Sequence, residues 1–261
     1  MDGFIDIHSH LLPGIDDGPR DLDAALEMAR SAAESGTGTL VSTPHLRSDF
    51  PAVHVEEIAD RCRAMAEAAR AAGITLNIVP GAETSLAWAL DASDEALAAA
   101  TYGGRGTDLL IETPDDVSML EALLFQVRVR GVRVTLAHPE RSASFQRDPA
   151  AVERLADQQV LLQVNAGALM AKPGSAHRRL AEHLCRTGIA HALASDGHRA
   201  RDWRPVSALG PGVQALAGLV GEARADWMSR AAPGAIIAGE PLPEPPEIRA
   251  RSRSLWSRLR R

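Results

Sequence analysis

Aromatic side chains make up only 3% of the 261 residues, and cysteine, lysine and long apolar runs are equally scarce. With so few rings, the core must be built from Ala, Leu, Val and Ile, and a hydrophobic content of 45% makes it a sizeable one. The two cysteines, Cys62 and Cys185, are too few and too far apart for a disulfide framework or a thiolate metal site, which suits a reduced cytosol. Neither begins a Cys-x5-Arg string, because Ala68 and His191 stand where the Arg would be, so the thiolate route of phosphate-ester cleavage is excluded. The sole lysine, Lys172, lies in Ala171-Lys172-Pro173-Gly174, which excludes a Walker-type phosphate loop. No apolar run reaches the ~18 residues of a membrane span, and residues 1–6 carry no basic leader, so a cytoplasmic protein is expected.

The formal charge of −6 is unevenly distributed. Residues 249–261 hold six Arg and no acid, which leaves residues 1–248 at −12. An acidic body repels polyanions, and nucleic acid is therefore not an expected partner. The length fits one α/β barrel domain, placed at 1–248, followed by an Arg-rich tail at 249–261. That tail reads either as a solubilising segment or as a basic amphipathic contact with an anionic membrane surface through Leu255, Trp256 and Leu259.

What is present is a repeating β-then-α pattern. Strand-length apolar runs fall at 4–7, 39–42, 76–79, 109–111, 132–136, 160–164 and 189–194, and helix-period segments at 21–35, 54–72, 115–130, 149–158 and 175–187 lie between them. Gly36, Gly73, Gly131 and Gly188 each stand before a strand, where a helix C-terminus needs left-handed backbone. Residues 234–247, rich in Pro, Gly and Glu, read as an extended wrap.

Metal-ligand side chains follow six of the seven strands: His8, His10 and Asp17, then His45, Glu83, Glu112, His138, and last Asp196 and His198. In an open sheet a site gathers at a switch point between a few strands, whereas in a barrel every strand end opens on one face. A seven-strand barrel therefore accounts for the distribution, with Asn165-Ala166-Gly167 lining the same mouth without a ligand. Five imidazoles and four carboxylates without thiolate suit Mn, Fe or Zn, with Mn or Fe preferred. Three divalent ions would bring +6 against −4 from the carboxylates, leaving a positive site for a phosphate dianion and pointing to phosphoester hydrolysis. His54, His177 and His183 sit in helical segments and read as ordinary surface, and His191, inside the last strand, reads as a packed or hydrogen-bonded histidine. Asp16 and Asp17 are not separable on this ground, since adjacent acids in Gly-Ile-Asp-Asp-Gly also serve turns.

The strings HSHLLPGIDDGP (8–19), STPH (42–45), GAE (81–83), AHPER (137–141) and SDGH (195–198) closely resemble the bacterial manganese-dependent tyrosine phosphatases of the polymerase and histidinol phosphatase superfamily. The resemblance runs from residue 4 to about 240 and implies a distorted (β/α)7 TIM-like barrel. It implies a first metal on His8, His10, Glu83 and Asp196, a second on Glu83, Glu112 and His138, and a third on Asp17, His45 and His198, selecting Asp17 over Asp16. It implies phosphate contacts from Arg141 and from an Arg-Pro pair after the last motif. Here that pair, Arg204-Pro205, comes one residue later than the family pattern, with Arg199, Arg201 and Trp203 crowding the loop. The substrate implied is the Tyr-phosphorylated tail of a membrane-bound bacterial tyrosine kinase controlling capsule or exopolysaccharide synthesis. The alternatives are a histidinol-phosphate or other small-molecule phosphoesterase, a nucleic-acid-processing domain, which the −12 body disfavours, and a silent metal-stabilised scaffold, which would not need all nine ligands.

Overall fold

In the computed structural model, which describes residues 3–249, nine strands pair only in parallel. They are β1 (Phe4–Ser9), β2 (Thr37–Ser42), β3 (His45–Leu46), β4 (Asn77–Pro80), β5 (Glu83–Thr84), β6 (Asp108–Glu112), β7 (Arg133–Ala137), β8 (Leu161–Asn165) and β9 (Ala192–Ala194). Their order is β1-β2-β4 in one sheet and β3-β5-β6-β7-β8-β9 in the other. β3 continues β2 across Thr43-Pro44, and β5 continues β4 across Gly81-Ala82, so the nine segments make seven staves. Pro44 has no N–H to give to a ladder, but its carbonyl accepts the Glu83 N–H at 3.2 Å and carries the pairing over the break.

The wall closes between β1 and β9. Ser9 bridges to Gly197, the His10 N–H donates to the Gly197 carbonyl at 2.8 Å, and the Asp196 N–H donates to the His8 carbonyl at 2.9 Å. The expected (β/α)7 barrel is thus the fold observed, and its seam joins the two chain segments richest in candidate ligands.

Alternation along the staves sorts the core into two parts. Leu109 and Ile111 of β6, Leu162 and Val164 of β8 and Leu193 of β9 pack outward with Met28, Met65, Leu124, Leu155, Leu184 and Leu216 of the surrounding helices. A smaller cluster that includes Leu110, Leu161, Ala192 and Ala194 alternates with that set and lies on the face that carries Glu112, Asn165 and Asp196 at the C-terminal ends. Period-two alternation thus puts apolar filling at the bottom of the barrel and polar side chains at its mouth.

The helices follow the expected segments with small shifts: Leu22–Glu34, Val55–Ala71, Leu120–Arg128, Pro149–Asp157 and Ala176–Thr187. The third begins later than expected because Asp116 turns the chain by accepting the Ser118 N–H at 2.9 Å. Gly36, Gly73, Gly131 and Gly188 all have positive φ, as their positions required. The expected extended wrap at 234–247 is corrected in its first part: Ala232–Ala238 is helical, and irregular chain begins only after Gly239, at φ 72°. The Arg-rich tail, apart from Arg249, lies outside the described residues. Among the described residues no helix is long and apolar enough to cross a membrane.

Candidate metal centre

β1 and the residue after it present His8 and His10, two apart and therefore on one face. The His8 ring shares a hydrogen bond of 2.9 Å between Nδ1 and Gln163 Oε1 on β8, which directs its Nε2 towards Glu83 Oε2 at 3.3 Å and Asp196 Oδ1 at 3.5 Å. His10 is fixed in the same manner by Asp16, whose Oδ2 lies 2.8 Å from its Nδ1. The Asp16 carboxylate also accepts the N–H groups of Gly18 and His45, at 2.9 and 3.3 Å. The loop returns so closely beneath His10 that a Cβ on Gly18 would lie 2.3 Å from the His10 carbonyl oxygen, and only glycine fits there.

Glu83 is at the centre. Fully buried, it places Oε2 2.9 Å from His45 Nδ1 and Oε1 2.9 Å from His138 Nε2. On the other side Asp17 Oδ1 lies 3.1 Å from His198 Nε2 and 3.5 Å from His45 Nε2, and His198 Nδ1–H donates to the Asp196 carbonyl at 2.9 Å. His138 and Asp196 sit in left-handed backbone, at φ 39° and 52°, an uncommon conformation for non-glycine residues and one typical of functional sites.

The fold therefore brings all nine sequence-derived candidates to one mouth, in overlapping groups whose donor atoms lie within 4.8 Å of one another: His10, Asp17, His45 and His198; His8, His10 and Asp196; His8, Glu83 and His138; His45, Glu83 and Glu112. The grouping differs from the expected partition: His8 rather than Glu112 joins Glu83 and His138, Glu83 is absent from the group of His8, His10 and Asp196, and His10 joins Asp17, His45 and His198. Glu112 groups with His45 rather than His138, and its Oε2 accepts from Arg47 Nη1 at 2.6 Å.

Electrostatics favour the ligand forms of the carboxylates. Burial alone would raise Glu83, Asp196 and Asp17, but the surrounding imidazoles outweigh it and hold all three below the ordinary carboxylate range. Burial pushes His198 down to about 4, with His10 and Arg204 adding to the effect, so its ring is neutral. For His10, burial is outweighed by Asp16 and Glu83, which push it up to about 10. Among the described residues Asp17 Oδ1, Glu83 Oε2, Asp196 Oδ1, His45 Nδ1 and His138 Nδ1 are buried with no partner in hydrogen-bonding geometry, close as Glu83 Oε2 and His45 Nδ1 lie. Buried lone pairs of this kind are costly unless something binds them, and a hard-to-borderline divalent ion fits this nitrogen and oxygen set.

Two guanidinium groups converge on Asp196. Arg141 Nη1 donates to Asp196 Oδ2 at 3.2 Å, and Arg204 donates to the same oxygen and lies 2.9 Å from His198 Nε2. Asn165 Nδ2, on the strand expected to line the mouth, also donates to Asp196 Oδ2, at 2.7 Å. A cavity of about 450 Å³ opens beside them, lined among others by Arg141, Gln146, His177, Trp203 and Arg204. A larger one, about 830 Å³, lies at Gln214, Arg224 and Pro246 and contains none of the nine.

The family is decided by the chain's similarity along most of its length: residues 4–238 match the model described as capsular polysaccharide synthesis, CpsB/CapC. This chain belongs to the CpsB/CapC family. The tyrosine-protein phosphatase YwqE of Bacillus subtilis is 30% identical to this chain over 206 residues, 76% of this chain and 78% of YwqE. The tyrosine-protein phosphatase CpsB of Streptococcus pneumoniae is 27% identical over 211 residues, 77% of this chain and 85% of CpsB. One of the crystal structures of YwqE from Bacillus subtilis and CpsB from Streptococcus pneumoniae, described as unique metal-dependent tyrosine phosphatases, superposes with a TM-score of 0.80 at 23% identity, over 95% of this chain and 100% of that one. This last likeness bears on the fold.

Among the remaining histidines of the CpsB/CapC chain, His183 pairs with Glu153 on the surface, and His191 accepts the Leu162 N–H on Nδ1 at 3.2 Å, a hydrogen-bonded histidine as expected. His177 is partly exposed, as expected of a surface histidine, and stands on the wall of the cavity that the arginines line. Asp16, weighed against Asp17 as a ligand, instead orients His10, and Gln163 and Arg47 were not singled out as site residues. Gln163 and Arg47 stand two residues from Asn165 and His45 respectively, so strand alternation was the signal that could have found them.

Proposed function

We propose that this chain is a metal-dependent phosphotyrosine-protein phosphatase acting in capsule or exopolysaccharide synthesis. The observation that carries the reading is the convergence of Arg141 and Arg204 on Asp196 within a mouth that gathers five histidines and four carboxylates. His8, His10, Asp17, His45, Glu83, Glu112, His138, Asp196 and His198 would hold up to three ions, manganese or iron by preference and zinc as an alternative. Bound divalent ions supply Lewis acidity towards phosphoryl oxygens and a nucleophile at neutral pH.

The chain's own groups do the rest. Arg141 and Arg204 bind the phosphoryl oxygens and stabilise the charge that builds on them during transfer. Asp16 and Gln163 orient the rings of His10 and His8, so that each keeps Nε2 directed inward. Asn165 holds Asp196 in place. The leaving phenolate has a conjugate acid with a pKa of about 10, far below an alkyl alcohol, so no strong general acid is required of the protein.

The proposed protein substrate is the Tyr-phosphorylated tail of a membrane-bound bacterial kinase, and the relatives' names and the family description support that class of partner. A cytoplasmic setting is part of the proposal and agrees with two buried free thiols, Cys62 and Cys185. Residues 1–248 would form the phosphatase domain. Comparing turnover of a phosphotyrosyl peptide with that of histidinol phosphate tests the assignment. The peptide is expected to be preferred, and a strong preference for histidinol phosphate would replace it with a small-molecule phosphoesterase.

A further inference from the structure

Among the described residues Trp203 is the one large aromatic side chain at the mouth that stays substantially open, at 54% exposure. The other ring near the centre, Phe50, is already engaged: it stacks on His45 with centroids 4.9 Å apart and planes at 12°, and the Arg47 guanidinium lies 5.4 Å from its centroid. The Trp203 indole meets the His198 ring edge-on at 5.2 Å and has the Arg204 and Arg199 guanidinium groups 5.2 and 5.8 Å from its centroid, so it borders both the ligand cluster and a phosphate-side arginine while half of its surface stays open.

The loop that carries it is built to hold that position. His198 N–H donates to the Arg204 carbonyl at 2.8 Å and Val206 N–H to the Arg199 carbonyl at 2.9 Å, which pins both ends. Arg199 Nη1 reaches the carbonyls of Asp17 and Gly18 at 2.6 and 2.5 Å and ties the loop to the ligand-bearing turn after β1. Asp202 and Arg204, on either side of Trp203, both adopt left-handed backbone, at φ 68° and 48°. Non-glycine residues are rarely held in that region without a functional return. These two residues bracket the exposed indole at the cavity wall.

We infer that Trp203 is the platform on which the aryl ring of the substrate stacks, and so a specificity-determining residue that favours phosphotyrosine over phosphoserine or phosphothreonine; this rests on the phosphatase reading above. A phosphoryl group between Arg141 and Arg204 directs its ester substituent into the cavity of about 450 Å³ that these arginines share with Trp203. A planar phenyl ring there gains an offset or edge-to-face contact with the indole and loses water from both faces, whereas a seryl or threonyl group offers no π face.

The test uses the full chain loaded with manganese. Trp203→Ala is expected to raise KM for a phosphotyrosyl peptide about tenfold with kcat within about threefold of wild type, the scale of one aromatic contact. It should weaken binding of a non-hydrolysable phosphonomethyl-phenylalanine peptide by the same factor. Trp203→Phe should restore most of both losses. Inhibition by inorganic phosphate, which has no ring, should be unchanged in Trp203→Ala. An equal loss of phosphate affinity would overturn the platform, because Trp203 would then act only by positioning Arg204. A wild-type protein active on the peptide together with an unaltered Trp203→Ala variant would also overturn it. A wild type that cleaves histidinol phosphate but not the peptide would instead overturn the phosphatase reading on which the inference stands.

Discussion

Replacing Asp16 and Asp17 in turn by Asn should give two different defects, although the residues are adjacent. Asp16 has both oxygens committed: Oδ2 to His10 Nδ1 at 2.8 Å and to the His45 N–H at 3.3 Å, Oδ1 to the Gly18 N–H at 2.9 Å. Asn keeps one carbonyl oxygen and turns an amide N–H towards a donor, so either His10 or Gly18 loses its acceptor. Removing the partner that orients a ligating imidazole costs roughly 10–100-fold in metal affinity, about 1.4–2.8 kcal/mol. Asp16→Asn should therefore reach full metal stoichiometry only at raised metal concentration, with activity recovering in parallel. Asp17 instead contributes Oδ1 to the group with His10, His45 and His198. Asp17→Asn should bind one ion fewer even at saturation. Chelator-buffered titration followed by mass-spectrometric metal counting separates the two. Wild-type affinity in Asp16→Asn, or full stoichiometry in Asp17→Asn, would refute the division of roles.

Arg141→Ala and Arg204→Ala should each lower kcat/KM for a phosphotyrosyl peptide about 10²-fold with unchanged metal content, since each removes a charge aimed at the phosphoryl oxygens; wild-type turnover in either would remove that residue from the phosphate clamp. Gly197→Ala should be destabilising by about 1–3 kcal/mol in chemical denaturation, because a Cβ would lie 2.6 Å from Val206 Cα at the barrel seam. A stability equal to wild type would show that the seam yields without cost. For His191, burial and then Arg224 and Arg133 lower the folded pKa to about 4 from 6.5. The unfolded chain thus takes up its proton first as the pH falls. The stability due to the neutral ring is complete above about 6.5 and is lost on descending to about 4, on the order of 3 kcal/mol in all. Urea midpoints at pH 7 and pH 4.5 should fall less steeply in His191→Asn than in wild type, and parallel profiles would contradict the assignment.

The barrel was legible because each stave is an apolar run followed by a polar strand end, and because Gly36, Gly73, Gly131 and Gly188 mark helix ends with positive φ. Breaks within staves were harder to read. The short continuation β3 lies beyond Pro44, where the apolar run has already ended and nothing local marks a strand, and the β1–β9 seam is a long-range pairing with no local signature. The nine candidate ligands were legible because strand ends in a barrel must share one face. Their orienting partners were not, because Asp16 and Gln163 are defined by the ring nitrogens they meet in space, and Gln163 lies 155 residues from His8.

The most direct test of the central claim is hydrolysis of a phosphotyrosyl and a phosphoseryl peptide by metal-stripped protein titrated with manganese, iron, zinc or magnesium, with bound metal counted at each point. Activity that is absent without metal, returns with up to three ions per chain and favours phosphotyrosine is the predicted result. Full metal loading without cleavage of either peptide would contradict it.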